Sequence, residues 1–352
     1  MSMISAPAGK VSAGRARHHV SATELTRSDR VLRAVSGVAT IIPTALLGFI
    51  AVIMIIAALP SIIFNGLSFF TGSVFNFGNQ YATTTITHNG QVALPHAVFG
   101  VLPLIVGTLA TSVIALVLAV PISVGGVLML SEIIPRRIAD PLSVFLELLA
   151  GIPSVVFGLW GVAVFGPFIA AHVYPAVSAL GHVIPFFKAP VGVGQGMLTA
   201  SLVLAVMIIP IVASTTRELL RRVPILAKEG ALALGMTRYE TVRVVTIPYI
   251  RTGIVAASLL GWARALGETI AVLLIIGDIY TVPSNIFGNS STIAAWIAST
   301  LDGALGDFTK MSVHALAELG LLLLAISLIT NLAGRLVVRR VAGGVLPVGR
   351  GV

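Results

Sequence analysis

Six long apolar runs govern what this chain can become. They cover roughly residues 38–63, 104–130, 142–172, 196–216, 252–277 and 312–338. A helix needs about 20 apolar residues to cross a bilayer, and every run is long enough. In hydrocarbon each backbone N–H and C=O must be satisfied within the segment, which leaves helices as the economical solution. Composition agrees: 57% of the residues are hydrophobic and 10% charged, against about 25% charged in globular proteins. Too few charges remain to cover a surface in water, so lipid is the main solvent. This excludes most soluble enzymes and wholesale disorder. The first run is too long for the core of a secretory signal and reads as a retained span. The fold class is therefore all-α membrane protein with six transmembrane helices.

The basic residues orient it. Six lie before the first run (Lys10, Arg15, Arg17, Arg27, Arg30, Arg33), two after the second (Arg136, Arg137), seven after the fourth and four at the end of the sixth or beyond it (Arg335, Arg339, Arg340, Arg350). The seven are Arg217, Arg221, Arg222, Lys228, Arg238, Arg243 and Arg251. Only Lys188 and Lys310 fall in the alternate loops, and Arg264 lies inside run five. Lys and Arg accumulate on the cytoplasmic side, so both termini are expected there, and the net charge of +9 needs no nucleic acid. Residues 1–35 read as a basic tail, partly disordered, with a capping box at Ser21–Glu24. Residues 36–340 form the membrane domain, with a cytoplasmic loop at 217–250 and a second tail at 341–352. Pro43, Pro121, Pro153 and Pro210 interrupt spans, and the Gly151-Ile152-Pro153-Ser154 cluster predicts a kink. The chain has no Cys, hence no disulfide or thiolate site, and its His residues lack metal-ligand spacing.

The loop at 217–250 is patterned. Pro224 suits a helix start, the run 225–234 is helical in character, and Gly235 suits a left-handed stop. Thr237-Arg238-Tyr239-Glu240 is a capping box opening a second short helix, which Pro248 is expected to end. On these residues alone the element could rest on lipid headgroups. Glu229-Gly230-Ala231, Gly235 and Ile247-Pro248 resemble the EAA loop of type I ABC importer permeases, with Gly230 in place of the first Ala. The resemblance implies a permease fold whose loop docks on an ATP-hydrolysing partner: Glu229, Gly230, Ala231, Gly235 and Pro248 would carry the coupling. No Gly-rich loop here ends in Lys-Ser/Thr. ATP and magnesium are therefore expected on the partner, with no cofactor, metal or catalytic residue on this chain.

Two charges stand inside run five. Arg264 is near mid-depth and Glu268 is four residues on, which on a continuous helix puts both on one face. Mid-bilayer charges cost at least about 2.5 kcal/mol each and mark pathways or pair with one another. Either the pair is structural, or Arg264 and Glu268 line a route in which the guanidinium meets an oxyanion. Glu147 and Glu318 are weaker candidates that could face the interior or snorkel.

Four segments narrow the resemblance: Phe99-Gly100-Val101-Leu102-Pro103 running into Gly107-Thr108-Leu109, residues 147–161, Ala263-Arg264-Ala265-Leu266-Gly267-Glu268-Thr269, and residues 288–295. Together they resemble the permeases of the bacterial phosphate-specific ABC importer, PstC type rather than PstA type. That implies a multi-pass protein of the bacterial inner membrane. It also implies a PstA-type permease as heterodimer partner, two PstB-type ATPases, a PstS-type binding protein outside, and phosphate as substrate. Arg264, Glu268 and Glu147 would then line the pathway. A permease for sulfate or molybdate, and a secondary transporter acting alone, are the alternatives.

Overall fold

The computed structural model describes residues 27–188 and 192–342; the capping box read at Ser21–Glu24 and the final basic residue, Arg350, lie outside them. The chain divides after Val52 into two units. The described part of the first is the opening of α1 (Arg27–Asn65). Its side chains from Val31 to Ile50 are exposed, as lipid solvation requires. The hydroxyls of Thr40 and Thr44 donate to the carbonyls of Ser36 and Thr40 at 2.8 and 3.1 Å, so neither needs water.

The second unit continues through α2 (Ser68–Thr71), α3 (Leu102–Leu128), α4 (Arg136–Ala150), α5 (Ser154–Trp160), α6 (Gly166–His172) and α7 (Tyr174–Ser178). It goes on with α8 (Met197–Arg221), α9 (Ile225–Ala233), α10 (Arg238–Thr241), α11 (Ile247–Leu266), α12 (Ile270–Ile276), α13 (Ile293–Leu305) and α14 (Met311–Ala342). Among the described residues six helical stretches are long and apolar enough to cross a membrane: Val31–Asn65, Leu102–Ile133, Ser154–His172, Met197–Arg221, Arg238–Leu266 and Met311–Arg340. The third is shorter than run three, because Gly151–Pro153 breaks the chain into two helices. The part before the break, α4, carries Arg136, Arg137, Asp140 and Glu147 on a strongly amphipathic helix.

α8 is the centre of the unit. It packs on α3, α11, α12 and α4, and Ala200, Val203, Leu204, Ile208 and Val212 are buried among Ala115 and Ala119 of α3, Ala257 of α11 and Val272, Ile275 and Ile276 of α12. The small residues let backbones approach closely, the main source of attraction between helices when lipid is as apolar as the core. Elsewhere close approach is absolute: a Cβ on Gly107 of α3 would stand 2.1 Å from the carbonyl oxygen of Ser291. The start of α8 is buried, and its orphan donors are satisfied from outside the helix. The N–H groups of Gly196, Met197 and Leu198 donate to the carbonyls of Ile275, Gly288 and Ile286 at 3.0, 3.0 and 2.9 Å.

Among the described residues three π-helical turns interrupt the helices, at Met129–Ile133, Gly161–Phe165 and Val242–Thr246. Each ends two residues before a proline: Pro135, Pro167 and Pro248. A proline ring strikes the carbonyl four residues back in a regular helix, and the wider turn moves that carbonyl out of register. After Ile133 the chain leaves the helix. At the other two sites it continues, so Pro248, expected to end a helix, instead sits in the first turn of α11 in one run from Arg238 to Leu266.

The segments between α1 and α3 carry two small strand pairs that apolar runs could not reveal. β1 (Phe75–Asn76) pairs antiparallel with β4 (Val98–Phe99), and β2 (Ile86–His88) with β3 (Gln91–Ala93). Asn89 and Gly90 link the second pair with φ of 52° and 77°, the type I′ signature. Phe75 packs edge-on against Phe77, Phe99 and Trp296, joining this cap to α13, a helix too short to span.

Candidate functional site

The fifth span is broken where its charges lie. α11 ends at Leu266, Gly267 closes it by donating to the carbonyls of Ala265 and Arg264, and α12 restarts at Ile270. The Thr269 hydroxyl returns to the carbonyl of Gly267 at 3.2 Å. Arg264 thus sits in the last turn of α11, where a cation is favoured by the helix dipole, and Glu268 in the non-helical link. Pairing four residues apart presupposes a helix that continues, and this one stops. No ion pair or hydrogen bond joins their side chains among the described residues. Arg264 is exposed and Glu268 half-buried. The turn bearing Arg264 is fixed from the side: Trp262 Nε1 donates to Ser112 Oγ of α3 at 3.1 Å.

The other two acids are engaged elsewhere. Glu147 and Asp140, two turns apart on α4, both face Arg217 of α8 at 3.6 Å. Glu318 of α14 is buried and accepts from Ser61 Oγ at 2.6 Å and Asn65 Nδ2 at 3.3 Å. Neither supplies Arg264 with a counter-ion, so its guanidinium has no acidic partner among the described residues. Reading acids one at a time missed Arg217; the signal was the seven-residue spacing of two carboxylates on one amphipathic helix.

The patterned loop forms as its local chemistry dictates. Pro224 caps α9, and Thr237 and Glu240 make the reciprocal capping box. Gly235 takes φ of +87°. Its N–H donates to Leu232 O at 3.0 Å and that of Met236 to Ala231 O at 3.2 Å, the two bonds of a Schellman motif. Lys228 ties α9 to the end of the second span through Glu132. Only Ala231 of α9 is buried. Glu229 and Gly230 are exposed, and so are Ile225, Leu226, Leu234 and Tyr239, at 67%, 78%, 83% and 72%. Ile225, Leu226 and Leu234 lie outside the spans, and large apolar side chains exposed there suit a surface made to be covered.

Residues 122–343 match the model of the family described as binding-protein-dependent transport system inner membrane component. The phosphate transport system permease protein PstC 1 of Mycobacterium tuberculosis is 49% identical over 94% of this chain and 99% of its own length. The chain belongs to this permease family. It is a multi-pass inner-membrane protein of the ABC transporter type. The PstC of Haemophilus influenzae is 38% identical over 84% of the permease and 91% of its own length. A solved inward-facing structure of the MetNI methionine ABC transporter is similar at 18% identity and a TM-score of 0.47, covering 69% of this chain and 94% of that one. The comparisons match the resemblance read from the motifs; they assign no role to individual residues.

Proposed function

We propose that this permease forms one half of the membrane pathway of an ATP-driven importer of inorganic phosphate. A PstA-type permease supplies the other half. Two PstB-type ATPases hold ATP and magnesium, and a PstS-type protein delivers phosphate from outside. Both termini lie in the cytoplasm, on the side of the basic loops.

Arg264 carries this reading. A guanidinium at the end of α11, beside the break before α12, with no acidic partner among the described residues and with exposed surface, keeps its donors for a transient ligand. Guanidinium meets a phosphate oxyanion with two parallel, charge-assisted hydrogen bonds. Glu268, across the helix break, repels the same anion. A route needs binding strong enough for entry and weak enough for exit, and a cation flanked by a carboxylate supplies both terms. Glu147 is the least supported of the three pathway candidates, since it already faces Arg217.

On the cytoplasmic side Glu229, Gly230, Ala231 and Gly235 present the docking knob, and Pro248 lies where that knob's helix run enters the fifth span. Closure of the ATPases moves α9, and the continuous helix from Arg238 to Leu266 transmits the movement to the turn that holds Arg264.

The test is phosphate uptake into proteoliposomes holding the complete complex. Arg264→Gln should assemble normally and lose at least nine-tenths of uptake, about 1.4 kcal/mol or more of differential binding. Wild-type uptake by this variant removes Arg264 from the pathway. Sulfate or molybdate competing equally with phosphate would reassign the substrate.

A further inference from the structure

Where the second and fourth spans end, a cavity of about 420 Å³ opens between the end of α3, α4, α8 and α9. Its charged lining is Glu132, Arg136, Asp140, Arg217, Arg221 and Lys228. The four cations stand on three helices, α4, α8 and α9, and the two acids on α4 and the turn that follows α3, so the grouping is a product of the fold. Lys228 is matched by Glu132, and Arg217 is shared by Asp140 and Glu147. Arg136 and Arg221 have no side-chain partner among the described residues, and both are exposed. The uncompensated positive charge of the cavity therefore sits on two guanidiniums projecting from different helices. The cavity has the volume of about fourteen waters at about 30 Å³ each, room for a tetrahedral oxyanion with part of its hydration shell.

We propose that this cavity is an anion-binding site for a phosphate group, held chiefly by Arg136 of α4 and Arg221 of α8 and distinct from the route at Arg264. Planar guanidiniums with free donors are suited to phosphate oxygens. Lys228 gives the site a consequence. It belongs to α9, so an anion here draws the docking helix, α4 and α8 onto one ligand and stiffens the joint between knob and spans. Its cytoplasmic placement rests on the orientation in the proposed function; the binding chemistry does not. The phosphate group can come from free inorganic phosphate or from an anionic phospholipid headgroup.

The experiment uses the complete complex in nanodiscs of neutral phosphatidylcholine. Melting temperature is followed as inorganic phosphate is added, for wild type and for the R136Q/R221Q double variant. A saturable rise in wild type, displaced in the double variant to phosphate concentrations about tenfold higher or more, identifies free phosphate as the occupant. If phosphate gives no rise, nanodiscs containing phosphatidylglycerol are examined by native mass spectrometry. Retention of that lipid by wild type and its loss from the double variant supports the site with a lipid headgroup as occupant. Equal responses of the two complexes to both probes overturn the proposal. If the double variant does not assemble, Arg221→Gln and Arg136→Gln are each judged by the same readings. Because binding is read rather than uptake, the result is independent of the pathway: a complex that imports no phosphate but shows the Arg136- and Arg221-dependent response fails the proposed function and keeps this one.

Discussion

Single residues carry more of this structure than the apolar runs suggest. Asp307, between α13 and α14, is buried. Burial alone would push its carboxyl up, yet it is held below the usual range by donors from Thr309 and Ser312. Oδ2 accepts the Ser312 N–H at 2.9 Å and its hydroxyl at 2.7 Å, and Oδ1 accepts the Thr309 N–H at 2.8 Å. The carboxylate thus caps the first turn of the sixth span. Asp307→Asn should cost about 1–2 kcal/mol, the scale of a lost charged cap. A depressed carboxyl stabilises the fold above its unfolded pKa of about 3.9 and loses that contribution as pH falls through its lower folded value. The melting-temperature gap between wild type and variant in detergent should therefore be constant at neutral pH and shrink below about pH 4; a gap that persists in acid would show that the ionised cap does not act. Nothing in the sequence reading singled out Asp307, because its partners follow within five residues and look like an ordinary polar turn. Arg264 and Glu268 stood out in the sequence as charges within a span, but the pairing expected of them does not form among the described residues: Gly267 between them was the sign that the helix stops.

Among elements, those with strong local chemistry were readable and those set by packing were not. Pro224, Gly235 and the Thr237–Glu240 box place α9 and α10 because each acts within four residues. The break at Gly151–Pro153 was visible as a kink. The π-turns and the α11–α12 break escaped, since lipid makes every face of a span apolar and erases the 3.6-residue signal that fixes helix limits in water. α9, the proposed docking helix, yields two opposed tests. Gly235 holds φ of +87°, and a Cβ there would meet no atom within 4 Å, so any loss on substitution comes from the backbone. Gly235→Val should cost about 1–2 kcal/mol for the left-handed conformation and release the ATPase or uncouple its hydrolysis, whereas Gly235→Asn should be mild. Gly230 is exposed within a regular helix, again with open space at its Cβ. Gly230→Ala should therefore stabilise α9 by about 1 kcal/mol and bind the ATPase at least as well. Pull-down and ATP hydrolysis by the reconstituted complex measure both; normal coupling in Gly235→Val would mean that the turn is not needed for docking.

For the whole molecule the decisive question is which way it faces, because the docking knob, the cationic cavity and the strand-bearing cap have roles only on their proper sides. Six crossings put both ends of the chain on one side. Nineteen of the 22 basic residues fall in the segments assigned to that side, and basic loops resist translocation. In the proposed orientation residues 66–101, with both strand pairs, lie outside, on the side from which the proposed binding protein would deliver. The same orientation puts α4, α9 and the ends of α3 and α8 inside, where nucleotide is. The chain contains no Cys, so introduced thiols report without background. Thr84 and Arg137 are both exposed and belong to neither the pathway nor the docking residues. On intact cells a membrane-impermeant maleimide should label Thr84→Cys and spare Arg137→Cys; in inside-out vesicles the pattern should reverse. Labelling of Arg137→Cys on intact cells would turn the molecule over, and with it α9 would face a compartment without ATP, leaving the exposed Leu226, Leu234 and Tyr239 with no ATPase to cover them.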